Sequence, residues 1–292
     1  MKVVNLGNKW PPQYGWRSLP ALLWLVVGGP ALAPFAHAAP PDERIAAAHS
    51  PSVTIASASQ PKSGLRLALY RGPGTGGKGP TNLLQRLNGG TKSSVTQVSP
   101  EEIRSGVLTN YDVVIFAGGS GSKQAEAIGE AGREAVRQFV GKGGGYVGIC
   151  AGAYLATSGF AWSLHLVDAK TVSPKWKRGR GNVKIELTDK GREILGERAG
   201  QFEVHYANGP VVAPAKEQSL SDYEPLAFFR TEMAENDAPA GVMVNSPAIF
   251  VGDYKQGRVV CISPHPEQTP GLEEFVPKAV AWVVPKRSRA VE

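Results

Sequence analysis

Three short stretches of this chain carry residue types that together could attack an amide carbonyl. In the first, Gly143-Gly144-Gly145-Tyr146-Val147-Gly148-Ile149-Cys150-Ala151-Gly152-Ala153-Tyr154, a short apolar strand stops at a thiol flanked by small residues. A nucleophile on a sharp strand-to-helix turn sits in a strained backbone conformation, so its neighbours must be small, and Gly148, Ala151, Gly152 and Ala153 meet that need. Ala151 to Thr157 reads as a helix start, which would set the sulfur near partial positive charge that favours a thiolate. In the second, Pro264-His265-Pro266-Glu267 follows an apolar strand and offers an imidazole as general base with a carboxylate to orient it, between two rigidifying prolines. In the third, Phe116-Ala117-Gly118-Gly119-Ser120-Gly121-Ser122, a Gly-rich turn after a buried strand would free the Gly119 N–H to join that of Ala151 as an oxyanion hole. Gly118 and Ser120 would border the same pocket, and Tyr206 and Asn208 of His205-Tyr206-Ala207-Asn208 are further candidates to bind substrate.

Each stretch also has a plain structural reading. The elbow could be a tight joint around a buried cysteine, the Gly-rich turn an ordinary loop needing positive φ, and Tyr206 a core residue. Cys150 and Cys261 are the two cysteines of the chain, so a disulfide competes with catalysis. The fold argued below opposes a bridge, because it sets Cys150 at a strand's end and Cys261 well before the end of its own strand. Gly72-Pro73-Gly74-Thr75-Gly76-Gly77-Lys78 matches most of a phosphate-binding loop, but Gly79 and Pro80 stand where a magnesium-binding Ser/Thr belongs. The basic run Lys175 to Arg180 reads as a solvated loop with some pull on an acidic substrate. The histidines have no metal-ligand spacing, so no metal and no cofactor is expected.

The elements that must position these residues alternate regularly in the first half of the chain. Strands are expected at Leu65 to Tyr70, Ser94 to Val98, Asp112 to Ala117 and Tyr146 to Ile149, with helices around Thr81 to Leu87, Pro100 to Arg104 and Lys123 to Val140. Continuous apolar strands between amphipathic helices indicate an α/β fold, a doubly wound and mostly parallel central sheet in a flavodoxin-like three-layer sandwich. Its chemistry belongs at the carboxyl ends of the strands. The second half is richer in strands, expected at Leu164 to Val167, Val183 to Thr188, Phe202 to Tyr206, Leu226 to Arg230, Gly241 to Asn245, Ile249 to Asp253 and Val259 to Ser263. A hairpin turn at Lys255-Gln256-Gly257 joins the last two, and a helix from about Leu272 to Val284 closes the domain.

Residues 1–38 read as a signal peptide: Lys2, Lys9 and Arg17, an apolar run from Leu19 to Leu32, then Ala36-His37-Ala38 before a cleavage site. Gly28-Gly29-Pro30 interrupts that run, which is short for a membrane span of about 20 residues. Export to the periplasm or the exterior is expected, with no stable membrane span after cleavage. Residues 39–64, rich in Ala, Ser and Pro, read as a disordered linker, 65–285 as one domain and 286–292 as a basic tail. The formal charge of +7 falls to a surplus of four once the three basic residues of the leader are removed, too little for a nucleic-acid partner.

The motifs taken together resemble those of the class I glutamine amidotransferase-like superfamily, whose triad runs Cys, His, Glu in chain order. Within it, Tyr70-Arg71-Gly72-Pro73-Gly74-Thr75, Gly-Ile-Cys-Ala-Gly-Ala-Tyr at 148–154, Tyr206-Ala207-Asn208-Gly209-Pro210 and Ser263-Pro264-His265-Pro266-Glu267 are similar to the group of biotin-protein ligase N-terminal domains. The resemblance implies Cys150, His265 and Glu267 as the triad of a hydrolase. Neither ammonia channelling nor ligase activity is expected, since the sequence offers no synthetase or ligase catalytic domain. The expectation is an exported thiol hydrolase of a small-molecule or peptide amide, such as glutamine or a γ-glutamyl amide, acting through a thioester. The alternative is a catalytically silent module that binds a ligand or partner in the same cleft.

Overall fold

The computed structural model describes residues 64–88 and 93–284. The first half folds as β1 (Leu65–Tyr70), α1 (Gly79–Asn88), β2 (Ser93–Val98), α2 (Pro100–Arg104), β3 (Val113–Phe116), α3 (Gly121–Gly141), β4 (Gly145–Ile149) and α4 (Ala151–Ala156). The second half follows as β5 (Ala169–Thr171), β6 (Arg180–Leu187), α5 (Asp189–Leu195), β7 (Gln201–Ala207), β8 (Val212–Pro214), β9 (Glu224–Phe229), β10 (Pro247–Tyr254), β11 (Gly257–Ile262) and α6 (Phe275–Val283). Nine of the strands form one sheet in the order β2-β1-β3-β4-β11-β10-β9-β6-β7, and β5 pairs with β8 in a separate ribbon.

The sheet is mixed. From β2 to β11 every neighbour is parallel, as continuous apolar runs such as Val113-Val114-Ile115-Phe116 require when both faces are covered. Beyond β11 every pairing is antiparallel, so the extra strands of the second half extend the same sheet. Side chains from α1, α5 and α6 fill the core on one face, together with Val147, Ile149, Val260 and Ile262. Those from α2, α3 and α4 fill the other, with Tyr146, Val259 and Cys261. The result is an α/β sandwich of three layers.

Two expected strands are absent. Leu164 and Leu166 are buried, but their N–H groups bond to the carbonyls of Leu155 and Ala156, capping the end of α4 in place of a strand ladder. Gly241 to Asn245 is a run of turns in which Met243 is buried and accepts from the Ser246 N–H. The readings of 1–63 and 285–292 as leader, linker and tail lie outside the described residues.

Candidate active site

β4 and β11 are neighbours in register, Ile149 beside Ile262, and both end at the same edge of the sheet. The Cys150 N–H still donates to the Ile262 carbonyl at 2.8 Å, and there the chain turns sharply. Cys150 adopts φ 51°, ψ −98°, a left-handed conformation costly for any residue with a Cβ. Small neighbours make the turn possible: a Cβ on Gly152 would collide with the Phe116 carbonyl oxygen of β3. The side chain is 6% exposed, and its thiol donates to the Ala207 carbonyl at 3.4 Å. Cys261 sits one residue from the end of β11, so its distance from the strand's end is not what separates the two cysteines. They lie on opposite faces of the sheet, Cys150 with the α1/α6 core and Cys261 with the α3/α4 core, and both are free thiols.

After β11, Ser263-Pro264 carry the chain to His265, and Pro266–Gln268 form a single 3₁₀ turn. The His265 N–H donates to the His205 carbonyl at 2.7 Å, and Thr269 ties both segments by donating to the His265 carbonyl and accepting from the His205 N–H. The imidazole Nδ1 donates to Glu267 Oε1 at 2.7 Å, which directs Nε2 to the opposite side of the ring. Gln268 Nε2 donates to the same Oε1 at 3.1 Å, while Oε2 is buried without a protein partner. Burial disfavours the charged ring, but hydrogen bonding and charge from Cys150 and Glu267 overcome it, and the His265 pKa rises from the usual 6.5 to about 10. His205, whose ring centroid lies 5.8 Å from that of His265, is held neutral by burial first and by the His265 charge second.

Gly118 faces this pair directly, since a Cβ there would lie 2.9 Å from His265 Cε1 and 3.8 Å from Cys150 Cβ. Gly119 is fixed by the loop that resembled a phosphate-binding sequence. Gly76 N–H donates to the Gly118 carbonyl and Ser120 N–H to the Gly74 carbonyl, an antiparallel bridge centred on Thr75 and Gly119. The bridge brings the two backbones so close that a Cβ on Gly119, at φ 138°, would collide with the Gly74 carbonyl oxygen. In this geometry the N–H groups of Gly119 and Ala151 have no hydrogen-bond acceptor among the described residues, and both residues border the cleft.

The cleft has a volume of about 530 Å³ and brings together Cys150, His265, Gly118, Gly119, Ser120, Ala151 and Asn208. Glu267 stands behind His265, fully buried. Tyr206 is not part of the cleft wall: it is wholly buried, edge-on to Phe229, with its hydroxyl donating to the Gly209 carbonyl. Asn208 borders the cleft but spends its amide oxygen on the Gly179 N–H at 2.8 Å, clamping the 174–180 loop to β7. That loop is not uniformly solvated, because Arg178 is buried and pairs with Glu232 at 2.7 Å. Sequence reasoning missed the aromatic wall of Tyr154, Phe160 and Trp162, and also Gln268. A Phe-Ala-Trp run ten to twelve residues after Cys150 was the signal for the wall. No group of three His, Cys, Asp or Glu able to hold a metal stands together among the described residues.

Residues 65–173 match the family model described as Biotin-protein ligase, N terminal, a segment that includes the elbow and ends before His265. The structure of PurLQS from Thermotoga maritima is similar at TM-score 0.54 and 14% identity, over 76% of this chain and 97% of that one. At this identity the likeness is one of fold, an α/β sandwich around a sheet that is parallel in its first half. A ThuA-like protein from Bacteroides uniformis is similar at TM-score 0.50 and 17% identity, over 79% of this chain and 96% of that one. No curated protein matches the chain in sequence. In this fold the parallel half of the sheet carries the elbow, and β11 at its border leads into His265.

Proposed function

We propose that this chain is an exported thiol hydrolase that cleaves an amide C–N bond through a thioester, with Cys150 as nucleophile, His265 as general acid and base, and Glu267 as its orienter. The observation that supports it most is the strained Cys150 at the end of β4, set beside a His265–Glu267 pair joined at 2.7 Å at the end of the adjacent strand. Cys150 and His265 share one proton, which rests on His265 as Cys150 Sγ bonds to the carbonyl carbon, and the N–H groups of Gly119 and Ala151 receive the oxyanion. The C–N bond breaks as His265 returns the proton to the leaving amine. Water then adds to the thioester with His265 as base, and the acid leaves as the thiol re-forms. A high His265 pKa suits this cycle, because the imidazolium that holds the shared proton until the amine leaves is stabilised by a buried carboxylate.

The Cys150 hydrogen bond to the Ala207 carbonyl favours the rival reading of a silent binding module, since it occupies the thiol proton. Covalent labelling separates the two. The wild type is expected to react stoichiometrically with an amide-like electrophile and to turn over amide substrates, and Cys150→Ala to do neither. A wild type that is not labelled refutes the hydrolase and leaves the binding module.

A further inference from the structure

The cleft wall combines aromatic rings with a lone cation among the described residues. On the Ala151 side stands an aromatic wall: Phe160 and Trp162 stack at 4.6 Å and 11°, and Tyr154 lies 6.4 Å from Phe160 with its hydroxyl donated to the Asn208 carbonyl. A Cβ on Gly121 would lie 3.3 Å from the Trp162 ring and 2.9 Å from the Ala151 carbonyl oxygen, which places that ring near Ala151. Elsewhere on the cleft wall, Arg180 of β6 pairs with Ala207 of β7, the residue whose carbonyl accepts the Cys150 thiol. Cross-strand partners share a face, and so do residues two apart on one strand, so Arg180 and His205 project to the same side. Arg180 is exposed, has no carboxylate partner among the described residues, and no Asp or Glu lines the cleft with it.

A general acid protonates the amine that leaves, so the amine half of an amide belongs on the His265 side, where Arg180 also lies. The acyl half then extends toward the aromatic wall. Resting on the hydrolase reading above, we propose that the substrates are N-aroyl amino acids or amides of that build: an aromatic acyl group against Tyr154, Phe160 and Trp162, and an amine half whose carboxylate pairs with Arg180. Hydrolysis consumes one water, transfers the acyl group from nitrogen to Cys150 Sγ and then to oxygen, and releases an aromatic carboxylic acid and an amino acid. A volume of about 530 Å³ fits such a molecule, well inside the range of roughly 300–1,000 Å³ usual for small-molecule sites. Free glutamine is a poorer fit, because its α-ammonium would find no carboxylate among the lining residues and would share the cleft with a guanidinium.

Binding to Cys150→Ala isolates recognition from turnover. That variant is expected to bind N-benzoylglycine about tenfold or more tightly than N-benzoylglycinamide, which lacks the charge, and than N-acetylglycine, which lacks the ring. Adding Arg180→Gln should erase the first preference and Trp162→Ala the second; Arg180 is exposed, so the first variant carries the test should Trp162→Ala misfold. Equal binding of the three ligands, or a charge preference that survives Arg180→Gln, overturns the proposal. Selective binding without release of benzoate by the wild type upholds the ligand class and refutes the hydrolase. Glutamine turnover without these preferences does the reverse.

Discussion

Cys261 lies within β11 and Cys150 just past the end of the adjacent β4, and the fold gives them opposite surroundings. Cys261 is in regular extended backbone, wholly buried among Tyr146, Phe250 and the α3/α4 core, and burial pushes its thiol far up so that it stays protonated. Cys150 lies one residue past the end of β4, at φ 51°, and faces a cleft that also holds His265 and two backbone N–H groups without acceptors. A residue placed inside a parallel strand belongs to a core. Beyond the carboxyl end the same residue type meets whatever the loops bring, and here they bring His265.

The comparison breaks most visibly at Glu267, which is part of the environment that Cys150 has and Cys261 lacks. Glu267→Gln fills the same space but cannot hold the imidazolium, and should lower kcat by about 10²–10⁴-fold with little change in KM; a loss under about threefold in steady-state assays would strip Glu267 of its role. Cys261→Ser should do the opposite, leaving kcat within about twofold while burying a hydroxyl with no partner, at a cost of about 1–3 kcal/mol in urea unfolding. An inactive but stable Cys261→Ser would mean the second thiol takes part in the chemistry. A further effect is on pH dependence. Since the folded His265 pKa is raised from 6.5 to about 10, its contribution to stability is complete below pH 6.5 and fades as pH rises through 10. Unfolding free energy should therefore fall across that window, with a shallower slope in Glu267→Gln; equal slopes would show that the carboxylate does not hold the proton.

The half that carries Cys150 was the more legible in sequence. Parallel strands buried on both faces read as unbroken apolar runs, and Ser99-Pro-Glu-Glu102 announces α2 with a capping box that forms as written. The antiparallel half is half-solvated and less distinct. Leu164-His165-Leu166 alternates as a strand would, yet serves the end of α4, and α5 was missed because Gly191 interrupts its apolar pattern despite the Thr188 cap. The site divides the same way. Cys150, His265 and Glu267 are placed by strand ends that the apolar runs reveal, and Gly118 and Gly119 by the turn that follows one. Tyr206 fell on the core side of its strand, and the aromatic wall and Arg180 come from loops and an edge ribbon whose approach to the cleft only the folded chain displays.

The central claim, that the sheet edge makes one cysteine a nucleophile and leaves its neighbour inert, is tested most directly by mapping alkylation. Native protein treated with limiting iodoacetamide and digested for mass spectrometry should carry the label on Cys150, at a rate that drops in Glu267→Gln, with Cys261 unmodified until the protein is unfolded. Labelling of Cys261 as fast as Cys150, or a Cys150–Cys261 bridge in the nonreduced digest, would contradict it.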